Sequence, residues 1–372
     1  MGGMAMMISG PAVDARAPRT RRSPAALPWL HSLGPARLGA PGEGRLAGRR
    51  CAAARRGAAT CAAAAAATAA AQVEELNKQL GIPGFVEVKE GLGGLPTVVL
   101  QHACGASAEV TLFGACITSF KQANGSEVLY MRPDAVFDKS KPISGGIPHC
   151  FPQFGPGKMQ QHGFARNVDW AIAATSADPQ PDDRDPEVQL VLTESDYSLK
   201  MWPHKFQVAY SVALHGETLR TDLRVVNTDD KAWDFTAALH SYIEVLDVEK
   251  AGVRGLQGLD YLDKGLDYLD RVPDPKNPAK KKEQREVVTF NGPTDSVYLK
   301  AKDYVQLDVG TGAGVSITSN KWSDVVVWSP WDAMPDFFRS FVCVESAQFG
   351  APVVLQPGEH WRAQMEMVVV DL

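Results

Sequence analysis

The chain has 372 residues, 38 basic against 43 acidic side chains for a formal net charge of −5, and 45% hydrophobic content. The charge is unevenly placed: residues 1–72 hold ten Arg, no Lys and only Asp14 and Glu43 as acids, about +8, which leaves −13 for the remainder. An acidic remainder without a basic stripe argues against nucleic acid and anionic membranes as partners, and no run of roughly 20 strongly apolar residues offers a membrane span.

The first 72 residues are rich in Ala, Arg, Gly, Pro and Ser, show no hydrophobic periodicity, and end in "CAAAAAATAAA". Arg-rich, acid-poor leaders of this kind read as organelle transit peptides. A secretory signal would place its apolar core in roughly the first 15–30 residues, well before this alanine tract. The expectation is a disordered transit peptide over 1–72, directed to the chloroplast or, second, the mitochondrion, followed by a single domain over 73–372.

No convincing amphipathic helix is longer than "AAQVEELNKQL", just after the leader, and few short helices are expected. Beyond it, short alternating segments dominate. "TVVLQHACGASAEVTLFGACITSF" reads as about three strands, and "EVQLVLTES", "KFQVAYSVALHG", "TLRTDLRVVNT", "DFTAALHSYIEV", "REVVTFN", "YVQLDVGTGAGVSITS", "DVVVWSPW", "FVCVES" and "WRAQMEMVVVDL" follow the same rule. They are rich in Val, Thr and aromatics and bounded by Gly, Pro, Asn or Asp. Strands so closely spaced, without helices between them, predict a large antiparallel all-β sandwich or barrel rather than βαβ units. Residues 176–187 and 272–284 read as loops, and the doublet "GLDYLD" at 258–263 and 265–270 as a local duplication around a turn. Cys104, Cys116, Cys150 and Cys343 form no CxxC pair or zinc spacing and are expected to be small core residues.

Three segments gather polar residues in apolar surroundings. "SGGIPHCFPQFGPGKMQQHGFARN", Ser144–Asn167, is a long Gly- and Pro-fixed loop ending in Gln161, His162 and Arg166, whose donors and acceptors suit a polyhydroxyl ligand; His149, between Pro148 and Cys150, is expected to pack. In "DFTAALHSYIEV", Thr236, Ala238, His240 and Tyr242 share one strand face. In "FVCVES", Glu345 stands where another apolar residue would cost less, so it is either half of a structural ion pair or a catalytic base. Upstream, Trp328 and Trp331 offer ring faces that suit the C–H face of a sugar.

"GGIPHCFPQFGP", "QHGFARN", "ALHSY", "TDSVY", "VVVWSPW" and "CVES" occur in this order over about residues 85–370. Together they resemble the aldose 1-epimerase (galactose mutarotase) superfamily, in particular its glucose-6-phosphate 1-epimerase branch. The resemblance implies a β-supersandwich, with His240 and Glu345 as the catalytic pair and Gln161, His162, Arg166, Asp295 and Ser144 around the substrate. It implies anomer interconversion of a hexose 6-phosphate by a monomer, with no metal, nucleotide or redox cofactor. The branch usually carries an arginine directly before "GGIP", where this chain has Ser144. A hydroxyl in place of a bidentate cation weakens the hold on a phosphate, and Arg132, Lys121 and Lys141 are candidates to compensate. The expected chemistry pairs an ionised Glu345 with a protonated His240. Three other readings stay open: action on unphosphorylated hexose, a non-catalytic sugar or sugar-phosphate binder, and a glycoside hydrolase using Glu345 with Asp295.

Overall fold

Alternation of apolar and polar residues governs the strands. Phe206–His215, for example, turns Phe206, Val208, Tyr210, Val212 and Leu214 inward and leaves the residues between them toward solvent, the period-2 signature of a half-buried strand. A computed structural model of the chain describes residues 20–22, 70–177, 185–264, 279–301 and 304–372. The second "GLDYLD" copy, residues 178–184 and 272–278 of the two loops, and nearly all of the leader lie outside the described residues.

Among the described residues the strands form three antiparallel sheets. One has ten strands, in the order Thr20–Arg22, Ala171–Ser176, Glu187–Thr193, Phe206–His215, Thr218–Asn227, His360–Asp371, Ala313–Asn320, Tyr304–Asp308, Gly252–Arg254 and Val287–Thr289. The second runs Ala279–Lys282, Asp260–Asp263, Thr294–Tyr298, Asp324–Ser329, Phe341–Leu355, Trp233–Leu239 and His149–Cys150, with Tyr242–Glu244 also paired to Phe341–Leu355. The smallest joins Val86–Glu90, Pro96–Gln101, Ser107–Thr111 and Ile117–Lys121. The main core fills the space between the two large sheets: Val208, Leu223 and Met365 from the first meet Phe235, Val327 and Val342 from the second. The expected antiparallel β-sandwich is the observed architecture, and the helix over 70–80 forms as read, burying Val73 and Leu80 against the core.

Three expectations change. A helix missed in the sequence, Asp196–Met201, is set by a capping box in which Ser195 and Ser198 satisfy each other's backbone amides. The basic run at 279–282 is a strand, although it read as part of a loop; its lysines are exposed and face Asp260 and Asp263 across the pairing, which opposite charges stabilise. Cys104 is exposed, whereas Cys116, Cys150 and Cys343 are buried as expected.

His149 packs, as expected. Its ring is 1% exposed, stacked on Trp170 at 5.1 Å and met edge-on by Tyr210 at 4.3 Å. Burial pushes its pKa down to about 3, so the folded protein holds it neutral while the unfolded chain protonates it near 6.5. A depressed folded pKa contributes stability that is complete above the unfolded value and is lost as pH falls toward the folded one. Between pH 7 and pH 5 this histidine alone should cost about 2 kcal/mol. Thermal melts of His149→Leu should therefore show a shallower loss over that interval than wild type; equal slopes would refute the assignment.

Candidate active site

One face of the second sheet carries the polar cluster, and register explains why. Asp295 pairs with Trp328, Trp328 with Cys343, and Cys343 with Tyr242, so these four side chains form a row across neighbouring strands. Glu345 is two residues beyond Cys343 and therefore on the same face. Val342 and Val344, on the opposite face, belong to the main core. The same alternation sends Phe235, Ala237 and Leu239 into that core and Ala238 toward Cys150 and Ala347 on the site side.

His240 follows directly after the strand Trp233–Leu239. The "GGIP" segment holds it there: the His240 N–H donates to the Pro148 carbonyl at 3.0 Å and the Tyr242 N–H to the Gly146 carbonyl at 2.8 Å. Gly145 and Gly146 lie at φ +116° and +64°, backbone that favours glycine, so the double glycine shapes the turn that fixes the histidine. The imidazole is boxed by Tyr242 stacked at 4.7 Å, Trp328 edge-on at 5.7 Å and the ring of His162 at 5.6 Å.

His240 Nδ1 lies 3.1 Å from Glu345 Oε1, and the two residues are 7% and 2% exposed. The contact lacks the alignment of a hydrogen bond: Nδ1 of His240 and Oε2 of Glu345 are buried without a hydrogen-bond partner among the described residues, as is Nε of Arg166. Buried polar atoms are costly to leave unpaired, so three of them in one cluster mark a place suited to a polar ligand. Burial raises the Glu345 carboxyl well above the usual carboxylate range, against the opposing pull of Lys264. Burial, aided by His162, Arg166 and Lys264, drives His240 well below the usual imidazole value. Both directions favour the neutral forms, an imidazole beside a carboxylic acid, over the expected imidazolium and carboxylate. The pair still holds one proton, and moving it from Glu345 to His240 regenerates the expected form.

Residues 96–368 match the profile of the family described as Aldose 1-epimerase. The chain belongs to the aldose 1-epimerase family. A protein of Cenchrus ciliaris named "Putative glucose-6-phosphate 1-epimerase" is 37% identical over 303 residues, covering 77% of this chain and 88% of that protein. An Escherichia coli protein of the same name is 32% identical, over 69% of this chain and 84% of that one. Among solved structures, a "putative mutarotase" from Salmonella typhimurium superposes with a TM-score of 0.65 at 27% identity, covering 77% of this chain and 97% of the other.

In this epimerase-family chain the remaining predicted residues fall at different depths. His162, buried at φ +67°, accepts the Gly155 N–H on Nδ1 at 3.1 Å, and burial brings its pKa down to about 3. Gln161 is exposed; its side-chain amide is 3.3 Å from the His162 ring, and its carbonyl accepts from Arg166 Nη2 at 3.0 Å. Asp295 sits at the far side of the cluster, its carboxyl raised by burial and pulled back by Lys264. The Ser144 carbonyl accepts the Arg132 N–H at 3.2 Å. Of the three candidate compensating cations, Lys121 and Lys141 are exposed. The Arg132 guanidinium is mostly buried, lies over Phe337 at 5.2 Å, sits beside Tyr242, and is bidentate to Asp134 at 2.9 and 2.6 Å. Trp331 packs on Phe338 at 5.1 Å instead of joining Trp328 at the histidine.

Lys264 escaped the sequence reading. It is the linking residue between the two "GLDYLD" copies, and nothing local distinguishes it from a solvated turn lysine. The structure buries its side chain to 8% exposure, with Nζ 3.3 Å from Asp295 Oδ1. Metal ligation was not expected here, but ligand atoms of His240, Cys343 and Glu345 lie within 4.8 Å of one another and could meet an ion. Burial raises the Cys343 thiol well above its usual range, so in the absence of a cation it favours the protonated form.

Proposed function

We propose that this protein interconverts the α and β anomers of a hexose 6-phosphate, with His240 and Glu345 exchanging protons with the sugar. The observation that carries this reading is the pair itself: an acid and a base 3.1 Å apart, buried, each with an unpartnered atom. A hemiacetal opens when its anomeric hydroxyl loses a proton while the ring oxygen gains one. Those two oxygens share a carbon, so the acid and the base must stand within a few ångströms of each other. In the productive form Glu345 takes the hydroxyl proton and His240 supplies the ring oxygen; rotation about C1–C2 and closure reverse the roles. This form has the same number of protons as the neutral resting pair, so substrate binding needs only to move one proton between the partners. Asp295, Gln161, His162 and Arg166 then hold hydroxyls, and Trp328 offers an apolar ring to the sugar face.

The phosphate is supported by the names of the relatives and by the cations Arg166 and Lys264 near His240 and Glu345 and Arg132 near Tyr242. Exchange between anomers, measured by two-dimensional NMR or polarimetry in parallel on glucose 6-phosphate, glucose and galactose, tests it. Acceleration is expected on all three, with kcat/KM at least tenfold higher for the phosphorylated sugar. Equal efficiency on glucose would assign the activity to free hexose; binding without acceleration would make the protein a sugar binder.

A further inference from the structure

Glu345 and Asp295 lie on one face of the second sheet, on strands separated by Asp324–Ser329, and like charges there oppose each other's ionisation. The groups facing Glu345 come from several elements. His240 and Tyr242 flank it at the end of the neighbouring strand, Cys343 lies on its own strand, and Cys150 on the short strand beyond. Asp295 comes from across the sheet, Lys264 from the segment beside Asp295, and Arg166 from the long loop. Burial favours the neutral forms of the two thiols, the phenol and His240. The net charges on Glu345 are therefore Asp295, Lys264 and Arg166.

Lys264 is anchored more firmly than a chance surface lysine. Its N–H donates to the Asp295 carbonyl at 2.7 Å, its ammonium reaches the Asp295 carboxylate at 3.3 Å, and the same ammonium lies over the rings of Phe154 and Phe349 at 5.0 and 5.7 Å. Phe154 in turn contacts His162 at 5.3 Å. A buried ammonium is costly to keep, and these contacts, with the cation–π attraction of two rings, hold it at the edge of the proton-transfer pair.

We propose that Lys264 is a positioning residue for the epimerase reaction, its ammonium serving as the shared counter-charge that lets Glu345 act as a base with a charged Asp295 beside it. This rests on the reading of Glu345 as the group that exchanges a proton with the sugar. Removing the ammonium leaves Asp295 repelling Glu345, so Glu345 takes up its proton at higher pH. It also relieves His240 of a nearby positive charge, so the histidine holds its proton to higher pH. Both limbs of the kcat profile should move up together.

The test is the pH dependence of kcat for anomer exchange in the full chain, with melting temperature confirming the fold of each variant. Lys264→Met should raise the acid limb by about one unit, a tenfold loss of rate below it. Lys264→Arg should leave the limb in place. Adding Asp295→Asn to Lys264→Met should return the limb toward wild type, because the repelling charge is then gone, while KM rises with the loss of a hydroxyl-holding carboxylate; a purely structural lysine would show no such rescue. Where the Met variant does not fold, Lys264→Gln serves in its place. An unmoved limb in the neutral variant, or an equal shift in Lys264→Arg, overturns the assignment. If Glu345→Gln keeps the wild-type rate, the underlying reading of the base fails and this one with it; if Glu345→Gln abolishes exchange and Lys264→Met leaves the limb in place, the Lys264 assignment alone falls.

Discussion

Glu345→Gln should keep the fold and lose about 10²- to 10⁴-fold in anomerisation rate, the range of one general acid–base contribution. The amide fills the same volume on the same strand face but can neither hold nor release the proton. Two measurements separate this from a structural role. Were Glu345 half of a stabilising buried ion pair, removing its charge would strand the partner and cost about 3–5 kcal/mol. Burial favours the neutral pair, however, and Glu345 Oε2 has no hydrogen-bond partner among the described residues. The melting temperature at neutral pH should therefore hold or rise while exchange, followed by NMR, collapses. A variant that melts several degrees lower yet exchanges at a near-normal rate would make Glu345 structural and end the proposed chemistry.

The residues that could be read in advance are those whose surroundings are local. Glu345 is conspicuous because Phe341 to Val344 are apolar on both faces, so a carboxylate there demands a reason. The alternation in Phe206–His215 and the amphipathic stretch over 70–80 each carry their structure within a dozen residues, and both formed as expected. His240 and Glu345, more than a hundred residues apart, were joined only through the resemblance to a family; strand register then supplied the physical reason for their meeting. Lys264 shows the opposite case. Its burial depends on Asp295, Phe154 and Phe349, which come from three distant segments, so no window of sequence contains the signal. The lysines at 279–282 were misread for a related reason: an exposed strand lacks an apolar face, and only its pairing with Asp260–Asp263 defines it. Trp331 failed differently, since its proximity to Trp328 in sequence hid a turn at Pro330 that directs it to Phe338.

His240→Asn should lose most of the activity, about 10²- to 10³-fold, and its combination with Glu345→Gln is the sharper experiment. Asparagine can still donate a hydrogen bond but cannot pass a proton to the ring oxygen. The neighbouring His162 is poorly placed to substitute. Its Nδ1 already accepts the Gly155 N–H, its other nitrogen lies against the Gln161 amide, and burial with Arg166 and Lys264 nearby holds its pKa at about 3. Because one proton serves both members of the pair, removing either should disable the same step. Groups that act as a unit are strongly non-additive, so the double variant should be scarcely slower than Glu345→Gln alone. A double variant slowed by the product of the two single effects would mean that the histidine and the glutamate act in separate steps, and the 3.1 Å contact between them would then have no part in opening the ring.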